Sequence, residues 1–288
     1  MVNYKSIKLS PGLYFVSTPI GSARDITLRS LDILANADVL AAEDTRTLKK
    51  LLEIHGIQLK NRSLISYHDH NGTKARPKLL AHLKNGKSVA YASEAGTPLI
   101  ADPGFSLLTE VLSMENDVTS APGPCALIAA LTVAGLPTDR FYFEGFLPNN
   151  KSQRELKFRE LKSYRGTLIF YESAKRLNDT LVKAIEVFGG DRQGVICREL
   201  TKKFEDIQRS SLKKLSEFYR DKNVKGEVII LIAGAVNADI DQSEIQQHVK
   251  DALKSMSVKD SAEAVALAFN VPRRDVYQLA LKIKSGGD

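Results

Sequence analysis

The first half of the chain alternates short apolar segments with segments of helical spacing, and this alternation restricts the possible folds more than any other feature. Segments of the strand type cover 13–17, 39–42, 64–66, 88–92 and 118–120. Helical patterns lie between them, and Thr27 is a suitable N-cap for the first predicted helix. Strands that alternate with helices form βαβ units. The pattern therefore predicts an α/β fold with a mostly parallel sheet.

A second α/β pattern follows residues 145–150, which are predicted to be a linker. Its strands are predicted at 167–171, 194–198, 204–209 and 227–233, with helices at 152–163, 177–188 and 212–219. The last of these strands has little polarity, so we expect it to be central in its sheet. The chain is therefore expected to contain an N-terminal α/β domain at 1–146 and a second α/β domain at 147–238.

The tail has a different pattern, because no strands interrupt its helical spacing. Helices are predicted at 242–255, 261–269 and 273–284, and Pro272 lies near the first turn of the last helix. Two short helices joined at 270–272 are typical of a helix-turn-helix. Residues 239–288 are therefore expected to form a small C-terminal helical tail.

The composition is that of a globular protein, with 43% hydrophobic and 26% charged residues. No apolar run reaches the ~18 residues of a membrane span. Residues 1–8 lack the apolar core of a signal peptide. The two cysteines, Cys125 and Cys197, match neither a disulfide framework nor a zinc spacing. These features predict a reduced, cytoplasmic protein.

Positive charge is concentrated in the second half of the chain. Of a formal net charge of +7, residues 1–144 contribute 15 basic and 14 acidic side chains, and residues 145–288 contribute 26 and 20. The span 151–222 alone has 18 basic and 11 acidic residues. This asymmetry indicates a polyanionic partner, nucleic acid before a membrane surface.

Polar, glycine and proline residues cluster directly after each predicted strand of the first half. The segments are TPIGS at 18–22, EDTR at 43–46, YHDHN at 67–71, SEAGTPLIADPG at 93–104 and APGPCA at 121–126. Open α/β sheets bind ligands beyond the carboxyl ends of their strands. We therefore expect a ligand site at this edge. The glycine fingerprints of dinucleotide-binding and P-loop proteins do not occur, which disfavours those cofactors.

Two histidines lie two residues apart in the third segment. His68 and His70 face the same side if the strand continues through them. The sequence offers no obvious third ligand, so a metal site is not expected. Hydrogen bonding in a loop, catalysis and contact with RNA remain as roles for a side chain that titrates near neutral pH.

The acidic residues of these segments allow either a structural or a chemical role. Glu43 and Asp44, with Arg46, are as consistent with a salt bridge that caps the following helix as with a functional site. Asp102 is likewise consistent with a cap for the helix that follows Gly104. The pattern alone does not separate these alternatives.

Eight motifs occur in a characteristic order along the chain. They are TPIGSARDITLRSLDILANADVLAAEDTR, YHDHN, EAGTPLIADPG, APGPCA, DRFYFEGFLP, TLIFYES, CRELTK and KGE. With these motifs, the sequence closely resembles the ribosomal RNA small-subunit methyltransferase I family from about residue 12 to residue 234. The tail resembles the C-terminal helix-turn-helix of that family.

The resemblance implies a tetrapyrrole-methylase type of fold, with two α/β domains, an active site in the cleft between them and a homodimeric assembly. It implies methyl transfer from S-adenosylmethionine to the 2′-hydroxyl of a cytidine in the 16S RNA of the small ribosomal subunit. The implied cofactor contacts are Pro19, Ala95, Gly96, Thr97, Pro98, Ile100, Cys125, Ala126, Tyr171, Glu172 and Leu200, with Gly226 and Glu227 at the next strand end. Many relatives have Asp where this chain has Glu94.

A ribose hydroxyl is a weak nucleophile, so a base or a pKa-lowering cation is expected beside it. The catalytic candidates are His68, Asp44 and Arg46, with His70 and Glu43 as alternatives at the same edge. A tetrapyrrole methylase is the main competing interpretation. The TPIG turn and the basic second half disfavour it. The polar, glycine and proline residues that cluster after every predicted strand of the first half disfavour a non-catalytic RNA-binding protein.

Overall fold

The computed structural model describes residues 3–68, 70–235, 242–269, 271 and 273–285. They belong to two compact units, Met1–Gly234 and Ala235–Asp288. In the described part of both units, no helix combines the length and the apolar character needed to cross a membrane.

The first-half strands are β1 (Gly12–Val16), β2 (Val39–Ala42), β3 (Ser63–Ser66), β4 (Ser88–Ala92) and β5 (Val118–Ala121). Within the described residues they form one sheet in the order β3-β2-β4-β1-β5, with every neighbouring pair parallel. The interior strands β2 and β4 are buried along their whole length. The predicted parallel α/β arrangement is therefore confirmed.

Helices connect these strands and cover both faces of the sheet. They are α1 (Leu28–Asn36), α2 (Thr45–Ile54), α3 (Gly72–Lys84), α4 (Phe105–Ser113) and α5 (Ala126–Ala134). The Thr27 side chain accepts a hydrogen bond from the backbone N–H of Ser30, so it caps α1 as predicted. The first four helices therefore bring the chain back to begin each new strand, and every strand ends at the same edge of the sheet.

The second-half strands are β6 (Phe141–Phe146), β7 (Thr167–Ser173), β8 (Gln193–Arg198), β9 (Asp206–Ser211) and β10 (Glu227–Ile232). Within the described residues their order is β6-β7-β10-β8-β9, with β6 and β7 parallel and the other pairs antiparallel. Strand β10 is central, as predicted, and is buried after its first residue. The helices of this half are α6 (Lys151–Leu161), α7 (Leu177–Phe188) and α8 (Leu212–Tyr219).

The predicted linker at 145–150 starts too early, because its first two residues belong to a strand. Gly145 and Phe146 belong to β6 and pair with Phe170 and Tyr171 of β7. The register shifts between Phe143 and Gly145, and Gly145 has a φ of +79°. A glycine at positive φ is typical of a β-bulge, so this glycine bends an edge strand instead of ending it.

Helix α5 belongs to the first α/β pattern but packs against the second sheet. Its Leu127 and Leu131 share a hydrophobic cluster with Ile169 of β7 and with Ile229 and Leu231 of β10. Helix α5 therefore links the first half of the chain to the second sheet within one compact unit.

The second unit consists of α9 (Gln242–Leu253), α10 (Val258–Phe269) and α11 (Arg273–Lys284). The three helices share an apolar core that includes Val249, Val265 and Val276. Asn270 and Pro272, which the sequence placed at the turn, lie outside the described residues. This unit has the three predicted helices, and the basic residues of α11 are exposed.

Candidate active site

A cavity of about 510 Å³ lies between the carboxyl ends of the first-sheet strands and the second sheet. Segments 94–97 and 100–102 and residues Cys125 and Ala126 form one wall. Segments 171–173 and 226–229 contribute the opposite wall. Strand β10 runs antiparallel to β7 and β8, so its first residues lie beside their last residues. The cavity thus collects chain segments from both sheets.

Three loops of the first wall are tied together by short hydrogen bonds. Thr18 and Gly96 exchange backbone hydrogen bonds of 2.9 and 3.0 Å. The Thr97 hydroxyl donates to the carbonyl oxygen of Pro124 at 2.9 Å. Gly96 has a φ of +83°, and a Cβ there would lie 3.3 Å from a methyl group of Ile20. The absence of a side chain therefore leaves the backbone of this loop accessible from the cavity.

Tyr171 joins the opposite wall to helix α5. Its hydroxyl oxygen accepts a hydrogen bond of 3.1 Å from the backbone N–H of Leu127, in the first turn of α5. Its ring packs edge-on against Phe143 and Phe146. Burial, followed by the nearby Cys125 thiol, raises the pKa of Tyr171, so the phenol stays protonated at neutral pH. The ring is a fixed apolar surface with a hydroxyl at its end.

The carboxylate of Glu172 is fully buried and fully occupied by protein partners. Its Oε1 accepts from the guanidinium of Arg176 at 2.6 Å and from the backbone N–H of Ser173 at 2.7 Å. Its Oε2 accepts from the Thr180 hydroxyl at 2.7 Å, and that hydroxyl also receives a hydrogen bond from buried Arg154. Glu172 lines the cavity, but this network holds its charge in place.

The residue after cavity-lining Leu200 makes a further contact between the two halves of the chain. The hydroxyl of Thr201 accepts from the backbone N–H of Ser22 at 3.1 Å. A Cβ on Gly21 would lie 2.5 Å from that hydroxyl oxygen, so only glycine allows this approach. Lys202 pairs with both Glu199 and Glu227 at 3.0 Å. Lys202 thereby offsets part of the negative charge on this side of the cavity.

Asp102 differs from the other carboxylates of the cavity. Its Oδ2 atom is buried without a hydrogen-bond partner, and so is the hydroxyl of Ser93. Burial, and then the negative charge of Glu43, raise the pKa of Asp102 to about 7. The Ser93 hydroxyl opposes this shift to a smaller extent, although its approach falls short of hydrogen-bond geometry. Asp102 therefore titrates close to neutral pH.

Most of the cofactor contacts implied by the sequence surround this one cavity. Those that line it are Ala95, Gly96, Thr97, Ile100, Cys125, Ala126, Tyr171, Glu172 and Leu200. Gly226 and Glu227 line it as well. Pro19 and Pro98 are not among its lining residues, although each adjoins one that is.

The three catalytic candidates are not among the cavity-lining residues, although Asp44 directly follows Glu43, which is. The Asp44 carboxylate accepts from the backbone N–H groups of Arg46 and Thr47, which makes it the N-cap of α2. Its hydrogen bonds with the Arg46 guanidinium lower the pKa of Asp44 to about 2. His68 is half-buried, and its ring centre lies 6.0 Å from that of His70. Asp69, between them, lies outside the described residues.

Sequence reasoning passed over several residues that line the cavity, including Phe146, Ser173 and Glu199. Sequence analysis left open whether Asp102 caps the following helix, and the structure shows that it does not. Gly104 precedes α4, and no side chain caps that helix. The usable signal was the position of Asp102 in a glycine- and proline-rich segment after an interior strand.

The comparisons with known proteins agree with this geometry. Residues 12–216 match the model of the tetrapyrrole (corrin/porphyrin) methylases, and residues 239–284 match the RsmI C-terminal HTH domain. The cobalt precorrin-4 methyltransferase structure has a TM-score of 0.59 at 18% identity over 77% of this chain and 94% of its own. The uroporphyrin-III C-methyltransferase of Thermus thermophilus, solved with S-adenosyl homocysteine, has a TM-score of 0.54 at 17% identity over 77% and 97%. The fold is that of the tetrapyrrole methylases.

Relatives of known name identify the family within the tetrapyrrole methylases to which this chain belongs. The ribosomal RNA small subunit methyltransferase I of Mesorhizobium japonicum is 40% identical over 96% of this chain and 93% of its own length. The protein of that name from Vibrio cholerae is 40% identical over 95% of both. The chain belongs to the ribosomal RNA small subunit methyltransferase I family.

Proposed function

We propose that this protein transfers a methyl group from S-adenosylmethionine to the 2′-hydroxyl of a cytidine in the 16S RNA of the small ribosomal subunit. Family membership supports the reaction class and the RNA substrate. We further propose that it acts in the cytoplasm as a homodimer. The observation that carries the cofactor assignment is the charge of the cavity.

The described residues that line the cavity include six carboxylates but no Lys, Arg or His. Three of the carboxylates, Glu43, Glu94 and Asp102, lie on the first-sheet side. S-adenosylmethionine carries a positive sulfonium and a positive ammonium group, so a negative potential favours its binding. The volume also lies within the ~300–1,000 Å³ of small-molecule sites. The residues present therefore fit this cofactor.

When bound, the cofactor supplies a methyl group that its positive sulfur already activates. The proposed contacts of the chain are the backbone at Gly96, which lines the cavity, the N-terminus of α5 at Cys125 and Ala126, and the face of Tyr171. Backbone groups without a covering side chain can approach a ligand closely. Since the loop hydrogen bonds described above fix these groups, the site is organised before the ligand arrives.

Exposed lysines lie close in sequence to the lining residues of the second half of the chain. Lys175 and Lys225 are exposed and lie within two residues of lining residues, and exposed Lys203 lies three residues after Leu200. Exposed lysines attract phosphates, whereas the interior carboxylates repel them. This arrangement suits a substrate that places one ribose inside and keeps its phosphates at the rim.

The proposal is tested by supplying labelled cofactor with small ribosomal subunits that lack the modification, and with a porphyrinoid in a parallel assay. We expect label in the RNA, on a cytidine ribose at a single mapped nucleotide. Label in the porphyrinoid alone would favour the competing tetrapyrrole interpretation. Tetrapyrrole substrates with acidic side chains would place additional negative charge beside the cavity carboxylates, which is unfavourable.

The basic span 151–222 is expected to supply much of the affinity for RNA. Replacement of Lys175 and Lys203 by Ala should lower the slope of log affinity against log salt by about 1.4, because each phosphate contact with a single strand contributes roughly 0.7. The matched control replaces Lys49 and Lys50, which are exposed on α2 in the nearly neutral half. A slope that changes equally in both double variants would contradict a local contribution from the cavity rim.

The tail is expected to dock on RNA or the ribosome and to take no part in cofactor binding. Arg274, Lys282 and Lys284 are exposed on α11, where they can meet phosphates, while Arg273 pairs with Glu263 at 3.2 Å. Truncation before Gln242 should leave cofactor affinity unchanged and reduce methylation of subunits by at least ~10-fold. Full methylation would exclude the docking role, and loss of cofactor binding or of oligomeric state would show a structural one.

A further inference from the structure

We infer that the ring of Phe146 stacks on the base of the nucleotide that is methylated and thereby holds its ribose at the cavity. This inference rests on the proposed function and adds to it a substrate contact that the sequence pattern had not assigned. Phe146 lines the cavity and is nevertheless 61% exposed. Aromatic side chains commonly line ligand sites, and this exposure leaves the ring accessible to a ligand.

The β-bulge at Gly145 places Phe146 on the cavity face of the second sheet. Side chains alternate between the two faces of a regular strand, so Phe143 and Phe146, three residues apart, would point in opposite directions. Here the register shifts between Phe143 and Gly145. Both phenylalanine rings lie against Tyr171, with ring centres 4.8 and 5.5 Å from its own. The bulge therefore re-aims one aromatic ring, as bulges beside active sites often do.

The backbone on the other side of Phe146 is held by two arginines. The Arg176 guanidinium, part of the buried ion-pair network described above, donates to the carbonyl oxygen of Leu147 at 3.0 Å. Buried Arg154 donates to the carbonyl oxygen of Pro148 at 3.3 Å. The ring is thus carried by a backbone that is fixed on both sides. A side chain in such a position loses little conformational freedom when it binds a ligand.

The two other most exposed phenylalanines of the described chain also lie close in sequence to lining residues. Phe105 is 71% exposed and comes three residues after Asp102. Phe204 is 65% exposed, comes four residues after Leu200, and has the Lys203 ammonium 5.6 Å from its ring centre. Aromatic rings combined with basic side chains are typical of surfaces that bind single-stranded RNA. Lysine is depleted from protein interfaces, which favours RNA over a second copy of this chain as the occupant.

The covalent structure of a nucleotide requires the base to lie close to this ring. The base is attached to C1′ of the ribose, next to the carbon that carries the 2′-hydroxyl, so a hydroxyl inside the cavity brings its base to the cavity wall. The base leaves its stack in the RNA to reach this place, and stacking on an aromatic side chain compensates for the loss. The aromatic residues among the described lining are Phe146 and Tyr171. Tyr171, the proposed cofactor contact, is the less exposed of the two.

The first test measures kcat/KM for methylation of small subunits that lack the modification, at saturating S-adenosylmethionine. Phe146→Leu keeps an apolar side chain without an aromatic face, and we expect a fall of about 5- to 140-fold, the equivalent of ~1–3 kcal/mol per stacked base. Phe146→Tyr keeps the face and should stay within about threefold of the wild type. The control, Phe141→Leu, changes an exposed residue of the same strand that does not line the cavity, and should leave kcat/KM unchanged.

The second test needs no turnover and uses the absence of tryptophan from this chain. Phe146→Trp introduces one indole, and stacking on a base should quench its fluorescence when small subunits are added with S-adenosyl homocysteine. The wild-type protein gives the background of the subunits. Phe141→Trp gives the effect of binding at a position outside the cavity lining, so quenching should be larger at residue 146. Equal quenching at the two positions, or none at either, would overturn the inference.

The outcomes separate this inference from the proposed function. If the wild type does not methylate small-subunit RNA, the proposed function fails. If the wild type is active and Phe146→Leu keeps the kcat/KM of Phe141→Leu, only the inference fails. A Phe146→Tyr variant as impaired as Phe146→Leu would also overturn it, because an aromatic face would then not be what matters.

Binding and assembly of the same variants distinguish the other possible contacts of this ring. Calorimetry should give Phe146→Leu the cofactor affinity of the wild type, and sedimentation should give it the same oligomeric state. Weaker cofactor binding would place the ring against the cofactor, and a changed oligomeric state would place it between two copies of the chain. Either result overturns the inference. If Phe146→Leu folds poorly, the indole fluorescence of Phe146→Trp decides.

Discussion

Gly96→Val is expected to weaken the binding of S-adenosylmethionine by roughly 5- to 140-fold, the effect of an overpacking cost of ~1–3 kcal/mol. A β-branched side chain at a φ of +83° would lie against Ile20 and cover the backbone that we propose as a cofactor contact. It would also strain the pair of hydrogen bonds between Gly96 and Thr18. Isothermal titration calorimetry with the cofactor measures the change.

The control for this variant is Gly86→Val. Gly86 has a φ of +68° in the turn after α3, and a Cβ there meets nothing within 4 Å. The two variants therefore share the backbone strain of a valine at positive φ, but only one changes the cavity wall. Undiminished affinity in Gly96→Val, or an equal loss in both variants, would show that the cofactor does not lie against this loop.

Glu172→Ala is expected to lower the free energy of unfolding by about 3–5 kcal/mol, as for removal of one partner from a buried ion pair. The side chain of Glu172 is 0% exposed, while that of Arg176 is 21% exposed. The substitution leaves the Arg176 guanidinium without its carboxylate and removes the acceptor of the Thr180 hydroxyl, on which Arg154 depends. Urea unfolding of the full chain measures the loss.

Glu155→Ala provides the comparison for an exposed pair. Glu155 pairs with Arg159 at 2.7 Å and with Lys183 at 3.0 Å on the surface of α6 and α7. Surface pairs contribute at most about 1 kcal/mol each. If both variants lost the same free energy, the buried network would not have the structural role described here, and Glu172 would remain available to a ligand.

The strand–helix alternation predicted the first sheet because its interior strands are uniformly apolar and its loops are rich in glycine and proline. The rule that a glycine marks the end of a strand failed at Gly145. The sequence does not distinguish a glycine in a β-bulge from a glycine that follows the end of a strand. Which of the two occurs depends on pairing with β7, a contact between residues distant in the sequence. Local patterns do not contain this information.

The candidate site was predictable in its location but only partly in its chemistry. Strand ends collect at one edge, so residues such as Gly96 and Cys125 were expected to meet. The charged residues were harder to assign, because the role of a carboxylate depends on its partners. Asp44 is a helix cap and Glu172 is part of an ion-pair network, whereas Asp102 remains unsatisfied. These partners appear only when the chain is folded.

Helix α5 has a consequence for how this fold can be divided or recombined. It precedes the second-half strands in the sequence, yet its Leu127 and Leu131 pack with Ile229 and Leu231, and its first turn is bonded to Tyr171. A chimera that joins two family members between α5 and β6 would combine a helix and a sheet that were selected for different partners. The natural crossover point lies before α5, and exchanging that helix together with the second sheet should preserve both the core and the shape of the cavity.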